Sequence, residues 1–277
     1  MKAFTLHLWL ELVSGLRNKT LLFMSYLFPV GFAIMMGLIM SGINPMFLET
    51  MVPAMAIFTA LSGIILGMPE PLVSAREAGI FRSYHIYGVP AKNIVIAPAL
   101  SMSLHALVAT AIILLAVPLM FSATRPENLL WFFAVAMVLL FNLSGLGALI
   151  SVVSANSRAT ILWSQLVFLP SMMLSGMMFP SQMLPENMAR VGRLLPGAYA
   201  MEAFNVLSMG GRGDYSPWLA LAVLLAGGLL AYTLALYLFS WDTRYTKRPS
   251  LLLALLALLP YVLGAVMLPL SERIPLG

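Results

Sequence analysis

Seven apolar runs, each close to the length that crosses a bilayer, constrain this chain more than any other feature. They are Thr20–Met40, Met51–Met68, Ile94–Phe121, Leu129–Val153, Thr160–Phe179, Pro217–Phe239 and Ser250–Leu270. A helix needs about 20 such residues to cross a hydrocarbon core of ~30 Å. Backbone in lipid has no water to bond, so each run must pair its own N–H and C=O groups, which a helix does. Charged residues make up only 9% of the chain, where a soluble domain carries about 25%. The expected fold is all-α and integral to the membrane. It has six transmembrane helices and a seventh, C-terminal span, whose Pro260 and Pro269 must be accommodated by neighbouring helices.

Residues 2–18 precede the first run and are amphipathic. His7, Glu11, Ser14 and Asn18 share one helical face, while Leu6, Trp9, Leu10, Val13 and Leu16 share the other. That pattern fits a helix lying in the membrane interface. The segment lacks the basic start, apolar stretch and small-residue cleavage site of a signal peptide, and is expected to stay in the mature protein. With the N-terminus cytoplasmic, the inside segments hold ten basic residues: Lys2, Arg17, Lys19, Arg76, Arg82, Lys92, Arg158, Arg244, Lys247 and Arg248. The outside segments hold five: Arg125, Arg190, Arg193, Arg212 and Arg273. This bias has the positive-inside sense, and it assigns the net charge of +5 to membrane topology rather than to nucleic acid. Residues 1–240 read as one transmembrane domain. Residues 241–277 add a cytoplasmic basic linker and the last hydrophobic segment.

The chemistry-bearing residues are sparse. There are no cysteines, and the three histidines, His7, His85 and His105, are scattered rather than paired as in a zinc site. Asp214 and Asp242 fall on opposite sides of the membrane, and Ser175-Gly176 has no base at matching depth. No catalysis, cofactor or metal is expected. His105, Asn142 and Gln165 are the clearest polar residues inside the spans, and so are the candidates for a translocation pathway. No acidic residue lies deep in any span and no inverted repeat stands out. Both absences weigh against an ion-coupled secondary transporter, the alternative reading. Gly31, Gly37, Gly63, Gly67, Ser144, Gly145 and Gly147 offer small-residue faces for close helix contact, within one subunit or between two.

Two connections carry the most specific information. PEPLVSAREAGIFRSYHIYGVPAKNIVIAPAL, residues 69–100, combines Arg76, Glu77 and Arg82 with a Gly79 break and a Gly88-Val89-Pro90 turn. It predicts a short charged helix at the membrane surface. LPSMMLSGMMFPSQMLPENMARVGRLLPGAYAMEAFNVL, residues 169–207, is apolar and helix-like, but Pro180, Pro185 and Pro196 interrupt it.

Together with the span pattern, these segments resemble the ABC-2 family of ABC-transporter permeases over residues 1 to about 240. The resemblance is carried by Arg76-Glu77-Ala78-Gly79, then by Ser175-Gly176, Phe179-Pro180, Leu184-Pro185, Leu195-Pro196 and Tyr199 in that order. It implies that the first connection is a coupling helix docking on an ATPase subunit, through Arg76, Glu77, Gly79, Ile80, Phe81, Arg82 and Tyr84. It implies that the second forms outer re-entrant helices gating the pathway, with Gly176, Phe179, Pro180, Pro185, Pro196 and Tyr199. The chain has no G-x-x-x-x-G-K-[ST] phosphate loop, so the energy would come from a separate P-loop ATPase. The resemblance further implies a second permease copy or paralogue, contact with membrane lipids, and a bacterial inner-membrane location. A hydrophobic or amphipathic substrate (drug, lipid or glycan-like) would suit the 21 methionines. Ile80 stands where the family often has threonine, and Ser250–Leu270 exceeds the usual six spans.

Overall fold

The computed structural model describes residues 2–44, 46–178, 185–241 and 251–271. All regular structure among them is helical. The elements are α1 (Lys2–Arg17), α2 (Lys19–Ile43), α3 (Phe47–Ala60), α4 (Pro69–Glu77), α5 (Ile80–Ile86), α6 (Ala91–Phe121) and α7 (Leu129–Val153). They continue with α8 (Ser157–Leu174), α9 (Glu186–Gly192), α10 (Pro196–Ala203), α11 (Pro217–Leu238), α12 (Leu251–Leu255) and α13 (Leu259–Ser271). Single π-helical turns widen α2 at Phe23–Leu27 and extend α3 and α10 at Leu61–Leu66 and Phe204–Ser208.

Among the described residues, five helices are long and apolar enough to cross a membrane: Lys19–Ile43, Phe47–Glu77, Ala91–Phe121, Leu129–Val153 and Pro217–Leu238. The other two expected spans are helical but differ in form. α8 has 18 residues and is diluted by Arg158, Ser164 and Gln165. The last segment is broken by a 3₁₀ turn at Leu256–Leu258, just before Pro260, whose missing N–H cannot continue an α-helical ladder.

α3 is the centre of the bundle. In the Phe47–Glu77 span 94% of the most apolar stretch is buried, against 28% in Lys19–Ile43, which therefore lies at the periphery. Phe32 of α2 stacks on Phe58 of α3 with ring centroids 3.9 Å apart, and Phe168 of α8 meets the same ring edge-on at 5.6 Å. α7 and α11 make the most extensive helix pair. Their closeness depends on Gly145 and Gly228: a Cβ on Gly145 would lie 2.8 Å from the Gly228 carbonyl oxygen. Removing side chains at a crossing lets backbones approach in a medium that supplies no hydrophobic drive between helices.

α1 lies against α6 with its polar face turned inward. Leu6, Trp9, Leu10 and Leu16 point outward and are exposed, as suits a helix whose outer surface meets lipid. His7, Glu11, Ser14 and Asn18 instead line a cavity of about 140 Å³ beneath it, shared with α4, α5 and α6. His7 Nε2 stands 3.5 Å from Glu11 Oε1, and burial raises the Glu11 carboxyl above its ordinary range, an effect His7 opposes.

Candidate functional site

α4 and α5 form a hairpin at one end of the bundle. Gly79, at φ 77°, makes the left-handed turn between them, a conformation that costs little only without a Cβ. Gly88, at φ 70°, and Pro90 close the hairpin before α6, and the Val89 N–H donates to the Tyr84 carbonyl at 2.9 Å. The turn signals in the sequence are thus the points where the chain reverses.

Seven residues of this hairpin were expected to form a docking surface, and the fold divides them. Glu77, Ile80 and Arg82 are exposed, Tyr84 is half-buried and Phe81 is buried. Arg76 faces inward and is 6% exposed. Its Nη1 donates to the Val152 carbonyl at 3.1 Å and its Nη2 to the Ser154 carbonyl. Those carbonyls end α7, where a helix leaves acceptors unpaired and carries the negative pole of its dipole. Glu77 accepts a hydrogen bond from Ser157 Oγ at 2.7 Å at the start of α8. The pair Arg76-Glu77 therefore fastens α4 to the α7–α8 turn.

α5 is held by rings. His7 of α1 meets Tyr84 at 5.9 Å, Tyr84 stacks on Phe81 at 6.5 Å, and Phe81 stacks on Phe239 at 5.9 Å. Phe239 meets Trp241 edge-on at 5.1 Å, and Trp241 stacks back on His85 at 4.6 Å. This ladder ties α5 to α1 on one side and to the end of α11 on the other. Ile86 and Tyr87, beyond it, are 82% and 83% exposed, the most open large apolar side chains among the described residues. Sequence reasoning did not single them out, although two bulky apolar residues before a Gly-Val-Pro turn are an available signal.

The three candidate pathway residues do not converge. His105 of α6 is buried, and its Nδ1 lies 2.8 Å from the Tyr26 hydroxyl of α2, with Nε2 facing Gly15 of α1. Asn142 of α7 is fully buried, donates to the Leu224 carbonyl of α11 at 2.6 Å, and accepts from Tyr261 of α13 at 2.9 Å. Gln165 is half-buried on α8. Asn142 thus pairs with three-helix packing, and His105 with the seat of α1.

At the end opposite α5 lies a cavity of about 800 Å³. Gly176, at φ 80° after α8, lines it, and Leu174, Met46, Met201 and Met209 supply apolar wall. Pro185 precedes α9 and Pro196 opens α10, where a missing N–H costs nothing. Tyr199 stands behind the wall, buried, donating to the Tyr261 carbonyl at 3.1 Å; burial pushes its hydroxyl up to about 12, with Arg193 opposing. Phe179 and Pro180, also expected in the gate, lie outside the described residues, as do Arg244, Lys247 and Arg248 of the basic linker.

The family model described as ABC-2 type transporter matches residues 2–208 of the chain. The chain belongs to this family. No curated protein and no solved structure gives a significant match. It is a multi-pass membrane protein and a transport permease by membership. The ABC-2 match includes the α4–α5 hairpin, the aromatic rungs from α1 to Phe81, and the cavity's α10 wall. It stops before α11 and α13, which complete the Asn142 and Tyr199 contacts.

A further residue of this ABC-2 domain went unread in the sequence. Glu202 of α10 is 8% exposed and accepts the Tyr215 N–H at 3.0 Å. Burial pushes its carboxyl up to about 7, against the backbone N–H groups of Tyr215 and Asp214 and the charge of Arg193. A lone glutamate inside the apolar stretch GAYAMEAFNVL was the available signal.

Proposed function

We propose that this ABC-2 permease forms the pathway of an exporter driven by a separate P-loop ATPase subunit. The observation that carries the proposal is the hairpin: an exposed rim of Glu77, Ile80, Arg82, Ile86 and Tyr87 on a segment tied through Arg76 and the aromatic ladder to α1, α7 and α11. A force applied to such a rim reaches three helices without bending a loop. Nucleotide-driven motion of the ATPase would then favour one access state over the other through its differential contacts with them. In this reading the hairpin end and the N-terminus are cytoplasmic, in a bacterial inner membrane, and the 800 Å³ cavity faces outward. A second copy or a paralogue completes the pathway. The methionine-bearing cavity wall suits a hydrophobic or amphipathic substrate, because thioethers adapt to varied apolar shapes.

Cross-linking tests this reading. The chain has no native cysteine, so Ile86→Cys introduces a unique thiol on the rim. Photo-activated cross-linking from that thiol in native membranes should capture an ATPase, and added nucleotide should change the yield. Capture of lipid alone, with and without nucleotide, would overturn the docking role.

A further inference from the structure

The Glu202 carboxyl is the one strongly buried acid among the described residues at the outer cavity, and the coupling reading does not use it. The loop of residues 209–216 passes over it. Tyr215 gives its N–H to Oε1 at 3.0 Å and its hydroxyl to the Ala198 carbonyl at 3.4 Å. Gly213 rests on the carboxyl so closely that a Cβ there would collide with Oε1 and with Val206. Gly210, at φ 68°, rests in the same way on the carboxylate of Glu127. The loop is therefore without side chains at the two points where it crosses acids, and Met209, Gly211, Arg212, Asp214 and Tyr215 make it a wall of the cavity.

We propose that loop 209–216 is a proton-controlled wall of the outer cavity, pinned shut by the neutral Glu202 carboxyl. In the closed arrangement the carboxyl has little water, and its C=O still accepts the Tyr215 N–H when protonated. Ionisation places a charge in that poorly hydrated position. Lifting the loop returns the group to water. The charged and titratable groups around it are Asp214, Tyr215 and Arg212 from the loop, Arg193 after α9 and Tyr199 from its own helix, with Glu49 of α3 elsewhere on the cavity wall and Glu127 under the loop at Gly210. Arg193 favours ionisation and Asp214 opposes it, while both tyrosines stay protonated throughout this range.

The sign follows from linkage. The closed state carries the raised carboxyl, about 7, and the open state an ordinary one, so acid favours closure and a rise in pH favours opening. The opening equilibrium grows by up to about tenfold per pH unit through the acidic range and flattens above the closed-state value.

Amide hydrogen exchange on the full chain in lipid nanodiscs tests the device, read on the peptide covering 209–216 and corrected for intrinsic exchange rates. Wild type should lose protection by up to about tenfold per unit from pH 5 to 7 and level off above. Glu202→Gln should remove the slope and hold the loop protected, whereas Asp214→Asn should keep it. A flat wild-type profile, or an unchanged slope in Glu202→Gln, overturns the proposal. If Glu202→Gln fails to fold, a slope surviving in both Asp214→Asn and Glu127→Gln supports the assignment, and a slope lost in either variant overturns it.

Discussion

Arg76 offers the sharpest test of how the hairpin is anchored. Replacing it by methionine keeps most of the buried stem and removes the two bonds to the Val152 and Ser154 carbonyls. Each bond from a charged donor contributes roughly 1.5–3 kcal/mol, and the end of the α7 dipole adds about 0.3–1 kcal/mol. Against this, methionine needs no desolvation of a cation, and water at the helix end recovers part of the loss. The net destabilisation is about 2–4 kcal/mol. For a chain of this size that lowers the unfolding midpoint by roughly 5–10 °C. Tryptophan fluorescence in one detergent and at one scan rate measures it, because the midpoint of an irreversible transition depends on rate. Arg76→Lys, which cannot fork between two carbonyls, should fall between. A midpoint for Arg76→Met within about 1 °C of wild type would refute the clamp. If that variant also lost its ATPase, Arg76 would belong to the docking rim instead.

Gly228→Ala should lower the midpoint by an amount matching about 1–3 kcal/mol, since its Cβ would lie 2.8 Å from the Phe141 ring and 2.9 Å from the Asn142 Cα. Gly31→Ala, with nothing within 4 Å, should be neutral or slightly stabilising, and the reverse order would contradict the packing described. Tyr261→Phe leaves the buried Asn142 oxygen without its 2.9 Å donor and should cost about 1–3 kcal/mol in the same assay. No change would mean that α13 is not an integral part of the bundle. Tyr87→Cys should react with a membrane-impermeant maleimide only after permeabilisation. Reaction in intact cells would reverse the proposed orientation.

Much of the architecture was legible because lipid makes it so. The runs at Thr20, Met51, Ile94, Leu129 and Pro217 became the five helices able to span, since a chain in hydrocarbon has few other ways to satisfy its backbone. Gly79 and Gly88 marked turns because left-handed backbone selects glycine. The inward polar face of α1 was not legible: amphipathicity gives two faces but does not say which meets lipid and which meets protein. Arg76 and Glu77, adjacent in sequence, read alike as docking residues of a coupling helix. Only the positions of the α7 and α8 ends separate a buried cap from an exposed rim. Phe239 and Trp241 lie far from α5 in sequence, and Glu202 sits among apolar neighbours. Their roles arise from contacts between distant segments, which periodicity does not encode.

The central claim is that the hairpin docks a separate motor, and co-purification tests it most directly. The tagged permease would be drawn from native membranes in mild detergent and every accompanying chain identified by mass spectrometry. A stoichiometric P-loop ATPase is the predicted result, lost in Glu77→Lys. It should be retained in Ser157→Ala, which removes only the 2.7 Å bond inside the chain. Intact permease recovered repeatedly without an ATPase would contradict the account.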